Sequence, residues 1–495
     1  MNKKGKNIRL PPHGSPATAD LRIPAIEGLC VDSQVDLKVT GLSHEGQGIG
    51  HHGSLAVFIP GALPGDQVRV RIQQIRSRYA IGRLIKLAEP SPDRIEPACP
   101  QALKCGGCTL QAMTYPAQLR HKQLLVADAL LRIGKITSLD GIMRPIIGMA
   151  KPWHYRSKAQ FPVAGSSTQP EIGFYASNSH HVVHAPTCDV QPPVCDLIRD
   201  TVAQHIKALQ IEPYQETNHS GLLRHVVIRI GFATGQVMVI LVIDGDSLPG
   251  QIELYKELQE KIAAHDDPDL PALHLASFCL NINKARSNLI LTPEIRLLAG
   301  QSWIEEQILG LRYRISPLAF FQVNPQQTAQ LYAVTLALAA LTGSETVLDL
   351  YCGTGSISLL LARKAKRVIG IEVVAEAIAD ARVNAEINGI ENVEFLTGEA
   401  EKLLPEMAAA GLTADVAVVD PPRKGCAPAL INTLIELGID RIVYVSCNPA
   451  TLARDIALLQ PAGYDLQAVQ PVDMFPWTGH VETVVLMSRD GAEKA

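Results

Sequence analysis

The sequence predicts a multidomain α/β chain with three folded regions: a small OB-like β-barrel, a mixed α+β centre, and a doubly wound, mostly parallel sheet at the carboxyl end. Three observations predict it. Short glycine-broken β segments crowd residues 25–88, a tight cysteine group follows a proline-marked boundary, and beyond Ser316 strand-like and helix-like runs alternate regularly. With 495 residues, 47% hydrophobic and 19% charged, each region can bury its own core.

Residues 1–24 carry Lys3, Lys4, Lys6 and Arg9 among prolines and glycines, without the apolar stretch a signal peptide needs, and are expected to form a disordered tail. No run of roughly 18 charge-free apolar residues occurs, so a soluble, cytoplasmic protein with no membrane partner is expected. The formal net charge of -4 excludes binding to nucleic acid by bulk charge. Any RNA contact has to come from local patches.

In residues 25–88 the segments Val35-Asp36-Leu37-Lys38-Val39 and Ala56-Val57-Phe58-Ile59 are separated by Gly46, Gly48, Gly50 and Gly53, as in small closed barrels. Val68-Arg69-Val70-Arg71-Ile72 alternates, which sends the apolar residues inward and the arginines outward. Arg76, Arg78, Arg83 and Lys86 extend that basic face. The plain alternative is a solvated strand face; the other is RNA contact.

Pro90, Pro92 and Pro97 open the central region, residues 89–314. Cys99, Cys105 and Cys108, with Gly106 and Gly107 between the last two, offer three soft ligands in a chain without an export signal, so a metal centre is expected rather than disulfides. Cys188 or Cys195 would supply the fourth ligand, and zinc is the structural alternative. The spacing is not the Cys-x3-Cys-x2-Cys of radical enzymes that cleave S-adenosylmethionine. Residues 118–131 have helical spacing and residues 153–183 read as short strands, framing a substrate cleft.

In residues 315–495 strands are predicted at 346–351, 367–373, 393–396, 415–420, 441–446 and 482–487, and helices at 356–366 and 375–388. Gly353 and Gly355 after the first strand let the backbone approach a ligand, and Glu372, ending the second, is placed to accept two ribose hydroxyls. That pattern also suits a dehydrogenase. Asp420-Pro421-Pro422-Arg423 puts a carboxylate at the carboxyl edge of the sheet on a stiff turn. Cys447, in Ser446-Cys447-Asn448-Pro449, sits between strand and helix, where the helix dipole is expected to favour a thiolate. Carbon 5 of uracil takes a methyl group only after a thiolate has added at carbon 6, and a base must then remove the carbon-5 proton. Cys447 is the candidate nucleophile and Glu482 the candidate base. Cys352 and Cys426 are rival thiols, and His480 a rival base.

These segments, together with Gly61-Ala62-Leu63-Pro64-Gly65-Asp66, Tyr155-Arg156-Ser157-Lys158, Phe320-Phe321-Gln322-Val323-Asn324 and His480-Val481-Glu482-Thr483, resemble the RNA uracil-C5 methyltransferases. Within them the chain is similar to bacterial 23S ribosomal RNA enzymes with an amino-terminal TRAM domain and an iron–sulfur cluster. The resemblance implies a Rossmann-like methyltransferase sheet, and a [4Fe-4S] cluster on Cys99, Cys105, Cys108 and Cys188. It implies S-adenosyl-L-methionine contacts from Gln322, Tyr351, Ser356, Glu372, Glu399 and Asp420, with Cys447 as nucleophile and Glu482 as base. Some members carry Asn at the position of Ser356.

The expected activity is methylation of one uridine of 23S ribosomal RNA by a monomer, with the base flipped out of its stack and Phe320, Phe321 or Phe475 available for stacking. Barrel and cluster together favour ribosomal over transfer RNA, because the family's transfer RNA enzymes typically lack both. The rival readings are a transfer RNA uracil-C5 methyltransferase, a methylthiotransferase, and a non-catalytic RNA-binding or remodelling protein.

Overall fold

The computed structural model describes residues 29–102 and 104–489; the tail expected at 1–24 lies outside them. Five strands, β1 (Gln34–Leu42), β2 (Gly48–His52), β3 (Leu55–Ile59), β4 (Gln67–Ile75) and β5 (Tyr79–Glu89), close into a barrel in the order β1-β2-β3-β5-β4. Val68, Val70 and Ile72 are buried while Arg69 is exposed, as the alternation requires.

Helix α1 (Tyr115–Arg132) follows. Then come β6 (Lys158–Gly165), β7 (Pro170–Ile172), β8 (Phe174–Tyr175), β9 (Val182–Val183), α2 (Val194–Leu209), β10 (Leu223–Ile230), β11 (Gln236–Ile243), α3 (Gln251–Ala263), β12 (His274–Ile282) and β13 (Ile295–Gly300). Six of these strands form one sheet in the order β13-β12-β11-β10-β6-β7. A hairpin of β14 (Ile304–Ile308) and β15 (Leu311–Ile315) leads on to the carboxyl-terminal domain.

That domain contains α4 (Pro325–Ala339), β16 (Thr346–Leu350), α5 (Ser356–Ala362), β17 (Arg367–Glu372), α6 (Ala375–Ile387), β18 (Val393–Thr397), α7 (Ala400–Ala409), β19 (Val416–Val419), α8 (Pro428–Glu436), β20 (Arg441–Ser446), α9 (Pro449–Leu459), β21 (Tyr464–Val472) and β22 (Glu482–Arg489). The strands form a seven-stranded sheet, β18-β17-β16-β19-β20-β22-β21, parallel except for β22, which runs antiparallel to both neighbours. Its central strands are near-continuous apolar runs, such as Val416-Ala417-Val418-Val419, because helices cover both faces.

The predicted strands and helices of this domain are present, with ends shifted by a few residues. One strand escaped the sequence reading. β21 contains Asp465, Gln467, Gln470 and Pro471, which break the apolar pattern, and they are tolerated because the strand stands at one end of the sheet. Residues 143–147 run beside it through the bridges Met143↔Val469 and Ile147↔Val472. Helix α1 also turns to this sheet: Val126 and Leu130 are fully buried in one core with Leu348, Leu350 and Val419. Among the described residues no helix is long and apolar enough to cross a membrane.

Candidate active site

The carboxyl ends of β16, β17, β19 and β20 and the start of β22 form one edge, where an open α/β sheet binds its ligands. β20 pairs antiparallel with β22 through Ser446↔Thr483, so the next step of that register sets Cys447 against Glu482. Neighbouring strands thus bring together residues 35 positions apart in sequence.

Cys447 is half-buried. Its turn is fixed from both sides: Asn448 caps α9 by accepting from the Ala450 N–H at 3.1 Å, and it donates to the Arg423 carbonyl at 3.2 Å. Thr451 Oγ1 donates to the same carbonyl at 3.2 Å, so α9 holds the Asp420–Arg423 turn beside the thiol. The expected lowering of the thiol pKa does not hold in this state. Burial, then the Glu482 and Asp420 carboxylates, push it up to about 11, with Arg423 opposing. One helix end does not outweigh two nearby carboxylates in a partly dry site.

Glu482 is 4% exposed, and burial followed by Asp420 raises its carboxyl to about 8. Asp420 is itself raised to about 7 by burial and by Asp349. The edge therefore gathers three carboxyl groups that resist full ionisation together, with Arg423 as the cation acting on both Glu482 and Cys447. His480, the rival base, is pushed down to about 4 by burial and by His44, Arg423 and Lys122.

In the loop after β16, Gly353 has φ +55° and a Cβ there would meet nothing within 4 Å, which leaves an open cradle. Tyr351 holds φ +67°, a costly conformation for a side-chain-bearing residue, and its hydroxyl donates to Glu401 at 2.8 Å. Glu372 accepts from the Gly353 and Val374 N–H groups at 3.2 and 2.9 Å, fixing its carboxylate at the loop. Asp349 is fully buried; one oxygen accepts from Ser358, and the other has no hydrogen-bond partner.

The other predicted contacts differ in placement. Ser356 shares a hydrogen bond of 2.8 Å with the Tyr332 hydroxyl, tying α5 to α4. Glu399 follows β18 at the same edge but pairs with Lys402 at 2.9 Å near solvent. Gln322 is half-buried beside Val323, whose carbonyl accepts from Ser157. Among the candidate stacking residues Phe320 is 71% exposed, Phe321 is 8% exposed and packs against Tyr313, and Phe475 is half-buried. Phe321 is thus a core residue.

The rival thiols are poorer nucleophiles. Cys352 is 6% exposed beneath the loop, and Cys426 is 3% exposed with its N–H donated to Asp455. Sequence reasoning missed Lys122, Asp473 and Trp477, which brace the segment before Glu482. Only the three-dimensional meeting of α1 with that segment reveals them.

Cys99, Cys105, Cys108 and Cys188 are all half-buried and unpaired. Burial and then the neighbouring Cys105 and Cys99 thiols raise Cys108 to about 12, and burial together with Cys108 and Cys105 raises Cys188 to about 12. Cys108 thus feels Cys105 and Cys99, and Cys188 feels Cys108 and Cys105. Cys195, the alternative fourth ligand, is instead fully buried in the central core with Phe161 and Val194. Among the described residues no three His, Cys, Asp or Glu side chains are grouped so as to hold a metal, so the arrangement supports neither the expected cluster nor the zinc alternative.

The sequence matches the family profile described as tRNA (Uracil-5-)-methyltransferase over residues 296–490 and that of the TRAM domain over residues 29–85. An uncharacterized RNA methyltransferase of Halalkalibacterium halodurans is 45% identical over 92% of this chain and 96% of its own length. Another, from Clostridium tetani, is 42% identical over 94% and 98%. Among solved structures, the tRNA (uracil-54, C5)-methyltransferase of Pyrococcus abyssi, in complex with S-adenosyl-L-homocysteine, superposes with a TM-score of 0.73 at 25% identity, covering 92% of this chain and 100% of that one. With relatives of this identity over nearly its full length and a uracil-5 profile across its catalytic sheet, the chain belongs to the RNA uracil-5-methyltransferase family, as a member with an amino-terminal TRAM domain.

Proposed function

We propose that this protein transfers a methyl group from S-adenosyl-L-methionine to carbon 5 of a uridine in 23S ribosomal RNA, through a transient bond between Cys447 and carbon 6. The observation that carries the reading is the register that sets a half-buried thiol against a buried carboxyl at the ligand edge. Cys447, as thiolate, forms the S–C6 bond, and the C5=C6 electron pair moves toward carbon 5 and the carbonyl. When bound, S-adenosyl-L-methionine supplies the electrophilic methyl group and a positive sulfonium at an edge rich in carboxyl groups. Glu482, in its ionised form, then takes the proton from carbon 5, the C–H pair restores C5=C6, and the Cys447 thiolate departs.

The loop suits that methyl donor: the cradle at Gly353 is open, and Asp349, near the end of the preceding strand, keeps an unpartnered oxygen. Gln322, Tyr351, Ser356, Glu372, Glu399 and Asp420 would hold it. Ser356 would do so while keeping its bond to Tyr332, or by breaking it.

Cys99, Cys105, Cys108 and Cys188 would hold a [4Fe-4S] cluster. Four soft cysteine ligands suit a centre with one thiolate per iron, and the Gly107 N–H lies 3.4 Å from the Cys105 sulfur. Fully ligated by cysteine, the cluster would act as a structural staple. The assignment rests on the cysteines and the family resemblance alone.

The ribosomal substrate rests on that resemblance too. Transfer RNA is the second reading, favoured by the long match to the Pyrococcus abyssi enzyme. Mapping 5-methyluridine in both RNAs from cells with and without the gene decides between them. Loss of a methyl group from 23S RNA alone supports the first reading, and loss from transfer RNA alone overturns it.

A further inference from the structure

The loop between β1 and β2 of the barrel meets the catalytic domain at Gly479, close to Glu482 in the chain. A Cβ on Gly479 would lie 2.6 Å from the His44 carbonyl oxygen and 2.7 Å from the Gly46 nitrogen, so the two backbones touch and only glycine fits. The His44 and His480 rings meet edge to face with centroids 5.0 Å apart, and the Phe475 ring also lies edge to face with His480 at 6.3 Å. The His44 Nδ1 is buried without a hydrogen-bond partner. The same loop also abuts the cysteine loop, since a Cβ on Gly46 would come within 2.5 Å of Thr109 Oγ1.

Glu482 stands two residues beyond His480 in the chain. Its carboxyl responds to burial, Asp420 and Arg423, and among the described residues no hydrogen bond orients it. Its backbone is held on one side by the Val472↔Glu482 pair. On the other side Val481 is buried in the core of the sheet, and just before it Gly479 and His480 meet the barrel loop. The far end of that segment is braced independently by Lys122, Gln118 and Tyr155 through Asp473, Trp477 and Pro476. The barrel loop is therefore what supports residues 479 and 480, between that brace and the buried Val481.

We propose that His44 is a positioning residue: through His480 it sets Glu482 for proton removal, so the barrel is a built element of the catalytic pocket as well as an RNA-binding module. This rests on the covalent reading above. The prediction concerns one step, because a displaced base slows release of the methylated adduct and leaves formation of the S–C6 bond intact.

The test uses full-length His44→Ala with an RNA fragment and labelled methyl donor, and follows protein–RNA adduct on denaturing gels. Turnover is expected to fall by about 10–100-fold, with methylated adduct accumulating on ordinary RNA, while 5-fluorouridine RNA, whose carbon-5 fluorine cannot be removed as a proton, traps the variant as fast as wild type. A loss confined to KM for RNA with no accumulated adduct, or unchanged turnover, overturns the proposal. Gly479→Ala, which parts the loops and keeps both rings, is expected to accumulate adduct as well; wild-type turnover in that variant overturns it even if His44→Ala fails to fold. Failure of wild type to trap 5-fluorouridine RNA would overturn the covalent reading and this inference together.

Discussion

Lys122 Nζ lies 2.5 Å from Asp473 Oδ1, with the two side chains 1% and 0% exposed. The Tyr115 hydroxyl donates to the other Asp473 oxygen at 2.7 Å, and Lys122 also donates to the Phe475 carbonyl at 2.9 Å. Helix α1 is thereby fastened to the segment that ends at Glu482. Lys122→Ala leaves a carboxylate buried without its cation and is expected to cost about 3–5 kcal/mol in urea unfolding. The double replacement Lys122→Met, Asp473→Leu should recover most of that loss, because no unpaired charge remains.

Cys447→Ala should abolish both methyl transfer and trapping by 5-fluorouridine RNA. Cys352→Ala should still form the adduct, since that residue, in the loop after β16, is only 6% exposed. Mass spectrometry of the trapped peptide distinguishes the two.

With its pKa pushed up to about 11, Cys447 should alkylate slowly at neutral pH and faster as pH rises toward that value. Asp420→Asn removes a charge that raises the thiol pKa and should move the iodoacetamide rate profile to lower pH. Arg423→Ala should move it higher. The profile is read by peptide mass spectrometry.

Glu482 has its pKa raised from 4.5 to about 8 by folding, so the folded state favours its neutral form. That contribution to stability is complete below about 4.5 and is lost as pH rises through about 8. Glu482→Gln, neutral throughout, should match wild type near pH 4 and exceed it at pH 9, the gap growing by up to about 1.4 kcal/mol per pH unit between. Equal denaturant midpoints at pH 9 would contradict the raised pKa.

On the barrel, Arg71 stands directly opposite Arg83, and Arg69 opposite Lys86. Asp36 neutralises Arg69 through two bonds of 2.8 Å, whereas the Arg71 Nε has no partner. Like charges across a strand pair destabilise the sheet, and bound phosphate would relieve them. Arg71→Ala should weaken RNA binding and lower the salt slope by about 0.7–0.9 per lost phosphate contact. Filter binding over a salt series measures it.

Protein purified without oxygen should contain iron and labile sulfide. Cys105→Ser should lower the iron content, and exposed Cys30→Ser should leave it unchanged. Iron assay and absorbance spectra report this without reference to activity.

Much of this was legible because its signals are local. Periodicity gave the alternating strands and helices of the carboxyl-terminal domain, the Val68–Ile72 alternation gave a barrel strand, and glycine at 353 and 355 marked the turn after β16. Cys447 stood out because a strand ended and a helix began around it. The sheet edge β21 was not legible, since its polar residues and Pro471 carry no periodic signal.

The sequence alone determined which chemistry-bearing residues exist and on which element each stands, because turns, caps and apolar periods depend on near neighbours in the chain. Tertiary structure alone decided their company and their protonation. Glu482 meets Cys447 through strand register, His44 meets His480 through closure of a barrel against another domain, and three carboxyl groups resist ionisation because folding dries the edge they share. Charge and proximity act through space, and spacing along the chain does not encode them.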